Sequence, residues 1–140
     1  MVPRSIVREG TCRLLRYFIT KKLSGDITRL QVAYDYLVKG MSPSDISRRY
    51  GISKCSVSAT VRKVIDTVGK EWIARWVVKT FYKRIMGVDP IIMVINRGRS
   101  STYYCILCSR EVTDPLTHVR TRHTDIVDRM LRAVIRGVNL

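Results

Sequence analysis

Carboxylates, histidines and side-chain amides are all scarce in this chain. Its 140 residues hold 11 Asp and Glu and two His. The only side-chain amides are those of Gln31, Asn96 and Asn139. Scattered carboxylates and the lack of a glycine-rich phosphate loop leave no constellation for acid–base or phosphoryl-transfer chemistry, so the chain is not expected to be an enzyme. No apolar run reaches the ~20 residues that a membrane helix needs. Charges interrupt residues 1–23, so no signal peptide is expected there. Few Asn and Gln residues suit a hot-growing host.

Positive charge is abundant instead. Lys and Arg number 26, for a formal net charge of +15 and a pI near 10.3. The natural partner is a polyanion, with nucleic acid first. A membrane surface would need the charge on one amphipathic helix, whereas here it is spread along the chain. Hydrophobic residues make up 46% and the mean hydropathy is −0.03. That composition fits a folded chain of one domain or two small ones. A reducing, cytoplasmic setting follows from the cysteines, two of which form a metal-type pair rather than part of a disulfide framework.

The stretch 42–65 is the most informative. Ser42 can cap a helix, Pro43 suits its first position and Asp45 sits three residues after the cap. Gly51 supplies a left-handed turn that ends the helix. Ser53 caps a second helix, on which Val57, Val61, Val64, Ile65 and Val68 share one face. Two short helices joined in this way form a helix-turn-helix, whose second helix can enter a DNA major groove. The Ser-x-x-Asp-Ile-Ser-Arg-Arg-Tyr helix and the Gly-Ile-Ser-Lys-Cys-Ser-Val turn resemble those of resolvase-type recombinases and sigma-factor DNA-binding regions. The resemblance implies an outward face of Lys54, Cys55, Ser58, Ala59 and Arg62. Cys55 and Ala59 stand where family members often have longer polar residues, and they suit thymine methyl groups.

Around this stretch, residues 1–10 read as an arm with poor local order. Residues 11–23 read as an amphipathic helix with Leu14, Leu15, Phe18 and Ile19 on one side, although Tyr17 to Thr20 would also suit a strand. Residues 28–39 form a supporting helix closed by Gly40. Residues 70–86 read as a long helix with an apolar stripe of Trp72, Ile73, Trp76, Val77, Thr80, Phe81 and Ile85. Its Lys79, Lys83 and Arg84 face solvent or phosphates. Residues 91–95 form a buried strand, 96–101 a turn and 102–105 a second strand, giving a hairpin with Arg97 and Arg99 at its tip. Such a tip beside a helix-turn-helix can act as a wing against phosphates.

Cys105, Cys108, His118 and His123 follow the spacing C-x2-C-x9-H-x4-H and include both histidines of the chain. Thiolates and imidazoles in a tetrahedral set are a zinc site. The span resembles a C2H2 zinc finger, with Tyr103 before the first ligand and Val112 and Leu116 as a small core. It is shortened, because the usual spacer between the second Cys and the first His is about twelve residues. Asp114 and Pro115 read as an N-cap and first helical position, with both histidines on that helix. The lost residues come from the part that normally reads bases, so Arg110, Arg120 and Arg122 are assigned at most to phosphates. Five residues separate the histidines, so a regular helix does not align them. Residues 124–136 form a last helix, capped by Thr124, with Ile126, Val127, Met130, Leu131, Val134 and Ile135 on its apolar face.

The sequence thus predicts a mainly α protein in four segments. These are an N-terminal arm and helix (1–25), the helix-turn-helix (26–69), a long helix with a basic hairpin (70–101), and the finger with a C-terminal helix (102–140). The pairing resembles small regulators of archaeal viruses and plasmids, which would place it inside the host cell at the nucleoid. The expected function is sequence-specific binding of double-stranded DNA in transcription regulation. Expected contacts are Arg48, Arg49, Lys54, Cys55, Ser56, Ser58, Ala59, Arg62, Lys63, Arg97, Arg99 and Arg120. A homodimer through the Trp72–Phe81 helix or the C-terminal helix fits the apolar faces. The rivals are an architectural DNA-coating protein with little sequence preference, an enzyme such as a recombinase or nuclease, for which no catalytic constellation is found, and a zinc-binding RNA or ribosome adaptor.

Overall fold

The structure, a computed structural model, describes residues 4–97 and 100–140, with backbone alone at 96, 97 and 100. The first helix, α1 (Arg4–Leu23), begins well before the expected position. Residues 4–10 are not an arm. Val7, Gly10 and Thr11 extend the inward side already marked by Leu14, Leu15, Phe18 and Ile19. Gly10 is the reason this reaches so far. A Cβ there would lie 3.1 Å from the Thr67 carbonyl oxygen and 3.2 Å from the Val68 Cα, so any larger residue would push the two backbones apart by a few tenths of an ångström.

Four helices follow: α2 (Thr28–Leu37), α3 (Pro43–Tyr50), α4 (Lys54–Val68) and α5 (Glu71–Met86). The expected caps are present. Ser42 accepts from the Asp45 N–H, Gly51 turns with φ of +66°, and Ser53 accepts from the Ser56 N–H. The Ser47 hydroxyl closes the turn by donating to the Ile52 carbonyl at 2.5 Å. Helices α2, α3 and α4 pack through Val32, Ile46 and Val57, a small core apart from the main one. Beside it lies Asp35, which is 3% exposed and had no place in the sequence reading. The Tyr50 hydroxyl donates to it at 2.5 Å, and Arg49 and Lys39 stand 3.5 Å and 3.7 Å away. Burial first, then the bond to Asp35, push the Tyr50 hydroxyl pKa up to about 12.

Helix α5 is rotated from its expected stripe. Its buried residues are Ile73, Ala74, Val77, Val78, Phe81 and Ile85. Trp72 is 62% exposed and Trp76 39%, so neither belongs to the core. Small Ala74 and Val78 face inward and allow close packing, which displaces the two large rings to the margin. The apolar faces expected to serve a second copy are divided, with Trp72 and Trp76 left exposed. Phe81 is fully buried in this chain, as are Val127 and Val134 of the last helix.

A three-stranded antiparallel sheet comes next: β1 (Ile92–Arg97), β2 (Ser100–Cys105) and β3 (Arg110–Val112), in that order. Pairing runs from Ile92 opposite Cys105 to Arg97 opposite Ser100. The turn expected over 96–101 is therefore shorter, and residues 98 and 99 lie outside the described residues. Only the start of β1 is buried. Ile91 and Ile92 sit in the core, whereas Met93 and Val94 are more than half exposed, because the edge strand runs out past the helices. Two helices close the chain, α6 (Pro115–Arg122) and α7 (Thr124–Ile135). Thr124 does not cap α7, since its hydroxyl donates back to the Arg120 carbonyl at 3.0 Å. Arg84 is exposed, as expected, but it also has an internal partner. Its Nη1 donates to the Val134 and Arg136 carbonyls at 2.8 and 2.7 Å, satisfying the end of α7. No described helix is long and apolar enough to cross a membrane.

Removing the buried carboxylate tests the small core. Asp35→Ala is expected to lower stability by about 1–3 kcal/mol, because the Tyr50 hydroxyl loses its acceptor. Lys39→Ala should cost less than about 1 kcal/mol, as an exposed partner does. Urea unfolding of both variants makes the comparison, and equal midpoints would refute the role given to Asp35.

Candidate metal centre and basic surface

Strand β2 delivers Cys105 into the core, where it is fully buried. The chain then turns tightly. The Ser109 N–H bonds to the Cys105 carbonyl at 2.9 Å, with Ser109 itself at φ of 56°. This turn folds Cys108 back beside Cys105, and β3 returns along β2 with Cys105 opposite Arg110. Asp114 then caps α6, accepting from the Thr117 N–H at 3.3 Å and the Thr117 hydroxyl at 2.6 Å. The hydroxyl bond, more than any other contact, holds the Asp114 carboxyl below its usual pKa. The cap sets the start of α6 and so the direction of His118.

Only His118 lies within the helix. His123 ends it, with φ of −123° and ψ of 35°, while its N–H still bonds to the Val119 carbonyl. The expectation of two histidines on one helix is thus corrected. A helix break, not a distorted turn, brings residues five apart to one point. Val119 supplies the burial that a nine-residue spacer cannot. It is 0% exposed in the main core, whereas Tyr103, Val112 and Leu116 are only partly buried. The small separate core expected here is therefore replaced by the core of the whole chain.

The four ligand atoms converge to within 4.8 Å of one another. Cys105 Sγ and Cys108 Sγ each lie 3.4 Å from His123 Nε2. Cys108 Sγ is 3.5 Å from His118 Nε2, and the two Nε2 atoms are 3.2 Å apart. A tetrahedron with Zn–S of about 2.3 Å and Zn–N of about 2.0–2.1 Å has edges of roughly 3.3–3.8 Å. The set is positioned to hold a metal ion and suits zinc. Its electrostatics agree. Desolvation and the neighbouring Cys105 push the Cys108 thiol pKa up. Desolvation, His123 and the nearby Arg110 and Arg122 push His118 down. Neither a second thiolate nor an imidazolium is welcome alone, and a bound dication relieves the first conflict and needs the neutral imidazoles.

The basic residues divide into groups. Lys54, Cys55, Ser58, Ala59, Arg62 and Lys63 are exposed along α4, and Ser56 is partly buried in the first turn. On α3, Arg48 pairs with Asp45 and Arg49 with buried Asp35. Arg49 is thus a structural cation as much as a surface one. Arg120 is exposed on α6, away from the start of α4 but near its far end, where the Lys63 ammonium lies 4.7 Å from the Tyr17 ring. Arg99 and the side chain of Arg97 lie outside the described residues. Arg13 and Arg16 of α1 were missed. They also face the space between Lys63 and Arg120, and their spacing on one helix face was the available signal.

No known protein family, curated protein or solved structure matches this chain.

Protein purified without chelator is expected to carry a single divalent ion per chain, measurable by elemental analysis. Structural zinc contributes on the order of 10 kcal/mol in finger peptides. Cys108→Ser should therefore lower thermal stability and speed amide exchange in α6 and α7. Metal-free protein with the same melting curve as the metal-loaded form would remove the site from consideration.

Proposed function

We propose that this chain is a sequence-specific double-stranded DNA-binding protein acting in transcription regulation, with zinc as its structural metal. One observation carries the reading. Helix α4 follows the capped α3 and its left-handed Gly51 turn, commits Val57, Val61 and Val64 to the core, and leaves Lys54, Ser58, Arg62 and Lys63 outward. On a chain of net charge +15, a free polar helix face of that kind suits a major groove. In this reading α3 and α4 are a helix-turn-helix of the resolvase and sigma-factor kind. The Cys2His2 unit is a shortened finger that positions α6 instead of reading bases, and the protein works in the cytoplasm. An architectural DNA-coating role is the second reading, favoured by the size of the net charge.

Each outward residue has a distinct role. Lys54 stands at the start of α4, where a recognition helix approaches base edges, and its ammonium can donate to guanine O6 and N7. Arg62 lies two turns further on and reaches a phosphate. Phosphate contacts give affinity without sequence information, and base-edge contacts give preference.

Salt titration gives the first test. With six to ten phosphate contacts, affinity should fall roughly a thousandfold or more between 50 and 200 mM salt. A flat response would mean that the charge serves another partner. The second test compares variants on a selected site and a scrambled one at fixed salt. Lys54→Ala is expected to relax preference at one position by about 1–3 kcal/mol. Arg62→Ala should weaken both sites alike. Equal wild-type affinity for both sites would favour the architectural role.

A further inference from the structure

Helices α1, α4, α6 and α7 enclose a groove of about 390 Å3 that joins the α4 side of the molecule to the metal-bearing side. Its floor is apolar, built from Tyr17, Leu116 and Val127. Its rim carries Arg13, Arg16, Lys63 and Arg120, with no carboxylate among the lining residues. Two of these cations are partly compensated, Arg13 by Glu9 and Arg16 by Asp128, through exposed pairs. Such pairs are weak and open readily to a stronger anion. Lys63 and Arg120 form no ion pair among the described residues.

We infer that this groove seats the phosphodiester backbone of the DNA that α4 engages, and that the metal-bearing unit thereby grips the duplex without reading it. The inference rests on the proposed function and deepens it. Lys63 lies nine residues beyond Lys54 on one helix, about 14 Å along its axis at 1.5 Å per residue. The major groove is about 12 Å wide. Nine residues also turn the helix by about half a revolution, so with Lys54 at the base edges Lys63 points away from them toward α1, where its ammonium lies 4.7 Å from the Tyr17 ring, and it would meet the backbone at the margin of the major groove. The rim then continues the cationic track onto α1 and α6. Arginine suits this task, since its planar fork grips phosphate oxygens in pairs. Arg120 comes from α6, which ends at the ligand His123, so its place on the rim depends on the metal site.

The test measures duplex affinity against salt for the full metal-loaded chain and two double variants. Arg13→Ala/Arg120→Ala removes two rim cations, while Lys70→Ala/Arg132→Ala removes the same net charge from exposed positions elsewhere. The rim variant is expected to lose about 1.8 from the slope of log affinity against log salt, and tenfold or more in affinity near 0.1 M salt. The control should keep the wild-type slope to within a few tenths. Matching melting curves would show that the rim variant is folded, and Arg120→Glu alone should then weaken binding further than Arg120→Ala. If the rim variant behaves as the wild type or as the control does, the groove is not a backbone seat and the α4 reading stands. If the wild type binds no duplex, both readings fall together.

Discussion

The burial of one helix governs this molecule. Helix α1 places Leu14, Leu15, Phe18 and Ile19 at 0–1% exposure and packs against α2, α4, α5, α6 and α7. Apolar burial of this kind is worth about 1.5–3 kcal/mol for each large side chain. The energy matters less here than the geometry. The helix pair that carries the basic face and the unit that carries the metal ligands lean on one shared wall, so their relative placement needs no linker and no direct contact. The four segments suggested by the sequence are stretches of chain around a continuous main core that includes Leu14, Val64, Phe81, Cys105, Val119 and Leu131.

The features readable from the sequence are those in which a side chain meets backbone two to four residues away. Ser42, Gly51, Ser53 and Asp114 all stand where their chemistry places them, because a cap is decided within one turn. The Cys and His spacing was legible for a similar reason, since few chains put their only histidines beside a cysteine pair by accident. Features settled by distant partners were not legible. Arg84 reaches carbonyls 50 and 52 residues away. Gly10 makes sense only against Thr67 and Val68. The two tryptophans of α5 read as part of its apolar stripe, facing core or a second copy, because they are large and apolar, and hydropathy alone does not reveal that alanine and valine are the better fit to a close neighbour. Asp35 carries no signal in the sequence, because Tyr50 and Arg49, which give it its place, arrive from α3.

The positive charge of the chain also has more than one use. Arg29 donates to the Thr60 hydroxyl at 2.6 Å, Arg75 to the Leu37 carbonyl at 2.9 Å, and Lys22 to the Val88 carbonyl at 2.7 Å. With Arg84, these cations join one element to another by their hydrogen bonds, while their charge still adds to the field around the molecule. A guanidinium remains charged at any ordinary pH and offers five donors, so one residue can tie a helix end and contribute to the field at once. The internal architecture and the surface potential are therefore not independent designs.

At His123 two helices meet without a connecting loop. Its N–H completes the ladder of α6, and its carbonyl accepts the first bonds of α7, from the Ile126 and Val127 N–H groups at 3.1 Å. Chain length just after this joint is consequently constrained as well as the identity of His123. One residue inserted after His123 would leave every ligand spacing intact, yet would turn α7 by about 100° and advance it by about 1.5 Å. Val127, Leu131 and Val134 would then leave the face of α1, and a polar side would take their place. The joint behaves as an angular key, in which counting residues correctly sets the orientation of everything that follows.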